Sequence, residues 1–216
     1  MAREQQDNPT RRRILKAARR LFSSRGYDAV SITDLADAAR VNRAALYYYF
    51  EDKRDLYREA IKTILDLIPA LWERRETREG APAQRLDKYV TGLWEALASN
   101  RDAMPLIMRE VATGGPEREL IFKRYLVPNA VHVAAILEEG MARGEFADAP
   151  PLMAAVAVLS GMIMPNFGLA VGRPFLDEAG GLLPEGRAYV DFYRGYVRRA
   201  LGPPAGKGGS KRAKNE

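Results

Sequence analysis

Apolar positions along the chain recur with helical spacing, and no segment alternates apolar and polar residues as a half-buried strand would. From Thr10, which reads as an N-cap, Ile14, Leu15, Ala18, Leu21 and Phe22 share one helical face, and Gly26 closes the helix. A short helix fits Ile32 to Ala39, with Ser31 as N-cap and Asp34 as an incomplete capping-box partner. Another starts at Asn42 and runs through Tyr48. A longer one, capped by Asp52, carries Leu56, Ala60, Ile64 and Ile68. Pro69, the charged stretch Glu73 to Arg78, Gly80 and Pro82 mark a boundary. Beyond it Leu86, Val90, Leu93 and Leu97 form a stripe, followed by Met104, Ile107, Met108 and Val111. A long pattern from Glu117 to Arg143 should kink at Pro128, which removes a backbone donor. The last helices read as Leu152–Met164 and Glu185–Leu201. The expected class is all-α: an N-terminal helix-turn-helix three-helix domain over residues 1–57, and a larger helical ligand-binding and dimerisation domain over 58–201. Residues 202–216, rich in Gly, Pro and Lys, read as a disordered basic tail.

Composition narrows the chemistry. The 216 residues contain no cysteine, which excludes disulfides and thiolate ligands and suits a reducing cytoplasm. The polar start shows no signal peptide. The uncharged run 149–172 is broken by Pro150, Pro151, Pro165 and Asn166, and its apolar part, Leu152 to Met164, is short for a bilayer. The expectation is a cytoplasmic protein with no membrane contact. Of the net charge of +6, residues 1–57 hold 12 basic against 8 acidic side chains, and the tail 4 against 1. A basic head on a near-neutral body suits a polyanion partner at the head.

The informative segment is Gly26 to Leu56, GYDAVSITDLADAARVNRAALYYYFEDKRDL. Val41, Leu46 and Phe50 can pack on Ile32, Leu35 and Ala36, which leaves Arg43, Ala44, Tyr47 and Tyr48 facing outward. One cation, small methyl-bearing residues and phenol hydroxyls on a two-turn helix suit the major groove of double-stranded DNA. Arginine reaches guanine edges, alanine methyls approach thymine methyls, and tyrosine hydroxyls hold phosphates. Lys53, opening the next helix, reads as a phosphate clamp.

Val41-Asn42-Arg43-Ala44-Ala45-Leu46-Tyr47-Tyr48-Tyr49-Phe50-Glu51-Asp52-Lys53 resembles the recognition helix of the TetR family of bacterial regulators together with the lysine that follows it. Ile32-Thr33-Asp34-Leu35-Ala36 is similar to that family's supporting helix. The likeness is clear over about Thr10 to Leu65. It implies base contacts from Arg43, Ala44 and Ala45, and phosphate or mixed contacts from Thr33, Tyr47, Tyr48 and Lys53; Ser31, at the cap, joins this set. Two positions depart from the family pattern: Arg40 stands where Gly is usual, and Tyr49 where His is common. If the turn needs positive φ, Arg40 is strained by about 1 kcal/mol.

The resemblance further implies a repressor role as a homodimer on a palindromic operator, released by a small effector. The stretch Leu152–Met164 is apolar on nearly every side, so it must be buried all round. With Tyr189, Phe192, Tyr193 and Tyr196 of the last helix, its Val156, Leu159 and Ile163 are expected to pair with a second copy. Tyr89, Trp94, Met104, Met108, Phe122, Tyr125 and Met162 are candidate linings for an apolar or aromatic effector. Arg109 and Glu110 could fix a polar group there, although each reads more simply as solvated surface.

An enzyme is disfavoured. His132 is the one histidine, and there is no cysteine, metal-ligand spacing or Gly-rich phosphate loop. Glu138 and Glu139 adjoin rather than face each other. No catalytic residue, metal or cofactor is expected.

Overall fold

The computed structural model describes residues 8–178 and 186–203, without the side chains of 63, 64, 76 and 174–177. The regular elements among those residues are all helical, with no strand. The first seven residues, Glu185 and nearly all of the tail lie outside them.

Helix α1 (Pro9–Arg25) is capped by Asn8, whose side chain accepts from the Thr10 N–H at 2.8 Å. The cap therefore falls two residues before Thr10, the position expected from the sequence. Pro9 suits a first turn, where its missing N–H costs nothing. Helix α1 ends at Gly26, at φ 85°. Its buried face of Ile14, Leu15, Ala18, Leu21 and Phe22 is the stripe read from the sequence, and it packs on α2 (Ile32–Ala39) and α4 (Lys53–Leu65). Helix α3 (Arg43–Tyr49) lies between them in sequence.

Helix α4 leads from head to body and is followed by α5 (Leu67–Glu73) and α6 (Arg75–Arg78). The axis of the body is α7 (Pro82–Ala98), whose Leu86, Tyr89, Val90, Leu93, Trp94 and Leu97 are buried. Around it pack α5, α6, α10 (Val127–Ala142), α11 (Pro151–Glu178) and α12 (Arg187–Leu201). Helix α8 (Met104–Thr113) bridges α1 and α11.

The helix read as reaching Ile68 ends at Leu65, and Pro69 lies within α5 rather than at a boundary. Two longer helices also differ from expectation, both at prolines. The long helix expected from Glu117 to Arg143 is instead α9 (Arg118–Ile121), a π turn (Phe122–Leu126) and α10. Pro128 sits in the first turn of α10, and the wide π turn ahead of it absorbs the irregularity a proline would otherwise force on the helix.

Helix α11 does not stop at Met164 but runs through Pro165 to Glu178. A proline at 165 cannot donate to the carbonyl of Gly161. The Tyr189 hydroxyl donates to that carbonyl at 2.6 Å, so α12 satisfies what α11 lacks. Asn166, wholly buried, donates from Nδ2 to the Met162 carbonyl at 2.9 Å. The two helices meet closely: a Cβ at Gly161 would strike the Tyr193 ring.

Nor is α11 buried all round. Leu152, Met153, Val156 and Met164 are at least half exposed, whereas Ala155, Val158, Leu159 and Met162 face the core. The stretches Arg118–Ala142 and Pro151–Arg173 match a membrane span in length and hydropathy, yet each packs a face into the core, as core helices of the same composition do.

Candidate DNA-binding interface

The head is built from local signals. At Ser31 the capping box is complete. The Ser31 hydroxyl accepts from the Asp34 N–H at 3.1 Å, and Asp34 accepts from the Ser31 N–H at 2.8 Å. Aspartate thus serves where glutamate is preferred. Bonds from the Ser31 hydroxyl and then its backbone hold the Asp34 carboxyl below its ordinary range, and Arg25 adds to this.

Helix α2 ends at Arg40, at φ 53° and ψ 51°, the single non-glycine residue with positive φ among the described residues. Val41 N–H returns to the Ala36 carbonyl and Arg40 N–H to that of Asp37, both at 3.0 Å, a C-terminal closure that ordinarily takes glycine. Asn42 then caps α3, accepting from Ala45 N–H at 2.8 Å.

Leu46 and Phe50 are buried and anchor α3. Arg43 and Ala44 are exposed, Tyr47 is 55% and Tyr48 68% exposed, and Ala45 is half-buried. Two large aromatics standing in solvent on a seven-residue helix do not serve the core. The Arg43 guanidinium donates to the Thr33 hydroxyl at 2.5 Å, which joins the two helices on the exposed side. Ser31 is exposed as well, but its hydroxyl is engaged with Asp34. Lys53 Nζ lies 4.3 Å from the centre of the Tyr27 ring and 3.5 Å from the Asp28 carbonyl, so the cation is held against the loop before α2. Asp52 caps α4 beside it through Asp55 N–H at 2.7 Å. The result is a rigid helix presenting a guanidinium, a methyl and two phenols, the set needed for base-edge and phosphate contacts.

A second cluster ties this head to the body, and the sequence reading missed it. Glu110, expected on a solvated face, is 2% exposed. It accepts from the Tyr57 hydroxyl of α4 and from the Glu117 N–H. Glu117, 3% exposed, pairs in turn with Arg54 at 3.0 Å and Arg58 at 3.1 Å. Three side chains on one face of α4 are therefore bonded to a buried acidic pair. A signal was present: Glu110 lies three residues beyond Ile107, on the face that α8 buries.

In the body, Tyr89, Trp94, Met104, Tyr125 and Met162 are fully buried and Met108 is half-buried. Phe122 is 40% exposed on the π turn and does not belong to an interior lining. Tyr125 donates to Asp66, and Tyr89 to Asn129, which also accepts from Trp72 Nε1 at 3.3 Å. Of the residues assigned to a dimer face, Val156, Phe192 and Tyr196 are exposed and Ile163 is half-buried. Leu159, Tyr189 and Tyr193 belong to the protomer's own core, because Tyr189 stacks on Trp94 and Tyr193 lies over Gly161.

A buried helix-turn-helix scaffold with an exposed, aromatic-bearing second helix defines a DNA-binding protein of the helix-turn-helix class. Residues 14–60 match the model of the N-terminal domain of bacterial regulatory proteins of the tetR family, and residues 79–164 that of a tetracyclin repressor-like C-terminal domain. The chain belongs to the TetR family of transcriptional regulators. It is 30% identical over 113 residues to the regulator HbdR of Aromatoleum sp., covering 52% of this chain and 49% of HbdR, about half the length of that relative. It is 26% identical over 151 residues to the repressor KstR2 of Mycolicibacterium smegmatis, covering 68% of this chain and 73% of KstR2. The crystal structure of HlyIIR, a hemolysin II transcriptional regulator, superposes with a TM-score of 0.63 at 26% identity, over 89% of this chain and 97% of HlyIIR.

Proposed function

We propose that this protein is a ligand-responsive transcriptional repressor that grips a palindromic operator as a cytoplasmic homodimer and releases it when a small apolar or aromatic effector binds. Residues 1–57 hold the DNA contacts, residues 58–201 the dimer and effector contacts, and the tail adds non-specific affinity. The observation that carries the reading is α3, anchored by Leu46 and Phe50 and exposing Arg43, Ala44, Tyr47 and Tyr48. Dimerisation is supported by the apolar face that Val156 and Met153 of α11 and Phe192 and Tyr196 of α12 leave uncovered in one protomer. Closed twofold symmetry would set two copies of α3 about one turn of DNA apart, ~34–36 Å, and hence require a palindrome.

Helix α4 supplies the linkage. Tyr57, Arg54 and Arg58 bond it to Glu110 and Glu117, so a ligand that shifts α8 changes the spacing of the two heads by population shift.

The test is a gel shift against the intergenic DNA beside the protein's own gene, with salt titration. Selective binding should be lost in Arg43→Ala and Tyr47→Ala. Equal affinity for random duplex at physiological salt rejects the reading.

A further inference from the structure

Arg40 closes α2 in the left-handed conformation, at φ 53° and ψ 51°, where a glycine would meet no steric penalty. Its backbone is engaged, the N–H bonding to the Asp37 carbonyl at 3.0 Å. Its side chain is not. The guanidinium is exposed and makes no hydrogen bond, ion pair or ring contact among the described residues. Nothing inside the protomer therefore offsets the strain, and strain of that kind marks a role met outside the fold. The surroundings say which role. Arg13 of α1 is exposed as well, and its Nε donates at 2.8 Å to the carbonyl of Ala39, the residue before Arg40. A second guanidinium is thereby fixed beside the turn. Arg43, also exposed, follows three residues later at the start of α3. Asp37 is exposed and pairs with none of the three among the described residues, while Asp34 is held by Ser31 and Arg25. Three cations around one unpaired carboxylate leave this turn positive.

We propose that Arg40 holds a backbone phosphate of the duplex at the edge of the groove that receives α3, with Arg13 reinforcing the positive charge there. The seven residues of α3 rise about 10 Å, close to the ~12 Å width of the major groove. Arg40 stands just before its first turn and Lys53 four residues past its end, so cations bracket the helix at both ends. A guanidinium suits this task, because its fork of N–H groups bonds two phosphate oxygens at once. The contact positions the protein without selecting a sequence, since every base pair carries the same phosphates. The inference rests on the reading of α3 as the helix that enters DNA and adds to it a contact from the turn ahead.

The test measures affinity of the full-length protein for the intergenic operator DNA and for a random duplex of equal length, between about 50 and 200 mM salt. Arg40→Gly and Arg40→Asn both tolerate the left-handed turn and remove the charge, so the fold is not at risk. Each should weaken binding to both duplexes by about tenfold for each head bound, the size of one charge-assisted hydrogen bond. The slope of log affinity against log salt should become shallower by about one per head. Preference for operator over random duplex should persist, whereas Arg43→Ala should lose it. Arg40→Lys restores the charge in the same strained turn and should keep the wild-type slope. The proposal is overturned if Arg40→Gly and Arg40→Asn match the wild type in affinity and slope. It is equally overturned if affinity falls with an unchanged slope, which makes the role structural, or if operator preference collapses, which makes Arg40 a base reader. A wild type without operator preference rejects the regulator reading instead, and the random-duplex slopes still decide the role of Arg40. A wild type that binds neither duplex rejects both.

Discussion

The Tyr189 hydroxyl donates at 2.6 Å to the Gly161 carbonyl, the acceptor that Pro165 leaves without its helical partner. A residue of α12 thereby repairs a proline in the middle of α11 and lets that helix run unbroken for 28 residues. Tyr189→Phe should cost about 1–2 kcal/mol, since it orphans a carbonyl and leaves the ring in place. Pro165→Ala restores the backbone N–H. If the relationship is as described, Tyr189→Phe will cost far less in the Pro165→Ala background. Urea unfolding of the two single variants and the double variant checks this; an additive cycle refutes it.

At the head–body junction the expected effect is larger. Burial above all, and then the bond to Glu110, push the Tyr57 hydroxyl well above its ordinary range, so it stays protonated and donating. Tyr57→Phe keeps the edge contact with Phe22, whose ring centre is 4.8 Å away, but removes a donor from a carboxylate that is 2% exposed. We expect a loss of about 2–3 kcal/mol in chemical denaturation with an unchanged m-value. A loss below about 0.5 kcal/mol, within the range of an ordinary surface substitution, would mean the bond carries little of the junction.

The turn between α2 and α3 makes the opposite forecast. Arg40 is exposed and left-handed, so Arg40→Gly relieves strain and removes no packing. Stability should rise by up to about 1 kcal/mol, the strain being partly offset by the added freedom of the unfolded chain. Thermal unfolding of the two proteins side by side decides it, and a fall in Tm would show that the arginine side chain contributes more than its backbone costs.

These cases mark what could be read from the chain alone. The recognition segment was legible because its determinants are local: Ser31 and Asp34, Asn42 and Ala45, and Asp52 and Asp55 each lie within three residues of one another. Leu46 and Phe50 follow a simple helical period, and the strained turn at Arg40 was foreseeable from the same short window. The length of α11 was not, because the group that rescues Pro165 lies 28 positions past the carbonyl it serves. Glu110 escaped for the same reason: its partner Tyr57 is 53 residues away, and a glutamate without a visible partner reads as surface. Likewise the last helix reads as one aromatic stripe, but which of its tyrosines turn inward depends on Trp94 and Gly161, distant in sequence.

His132 should make the protein acid-sensitive. It stacks on Trp72 at 5.4 Å, and its Nε2 is buried without a partner among the described residues. Desolvation chiefly, and Arg85 next, hold its pKa below the ordinary 6.5, with Glu73 opposing. The unfolded chain then binds a proton that the folded chain resists. This histidine therefore costs no stability above that pH, and its penalty grows as pH falls below it towards the folded-state value. His132→Phe keeps an aromatic against Trp72 and removes the titration. Denaturation midpoints at about pH 7.5 and about pH 5.5 should fall less for the variant than for the wild type; equal falls would assign the acid sensitivity elsewhere.

The dimer can be tested on residues whose loss leaves the protomer's own core intact. Val156 is 51% and Phe192 59% exposed, on neighbouring helices whose inner faces are already filled by Leu159, Tyr189 and Tyr193. Glutamate at either position would be solvated in a monomer but would bury an unpaired charge in a symmetric interface, twice over. A penalty of at least about 3 kcal/mol per dimer follows, enough to weaken association more than a hundredfold. Val156→Glu and Phe192→Glu should therefore sediment as monomers with unchanged helical circular dichroism. Operator affinity should drop with them even though α3 is untouched, because one head alone engages only a half-site. If both variants sediment as the wild type does, the proposed dimer does not form through this face.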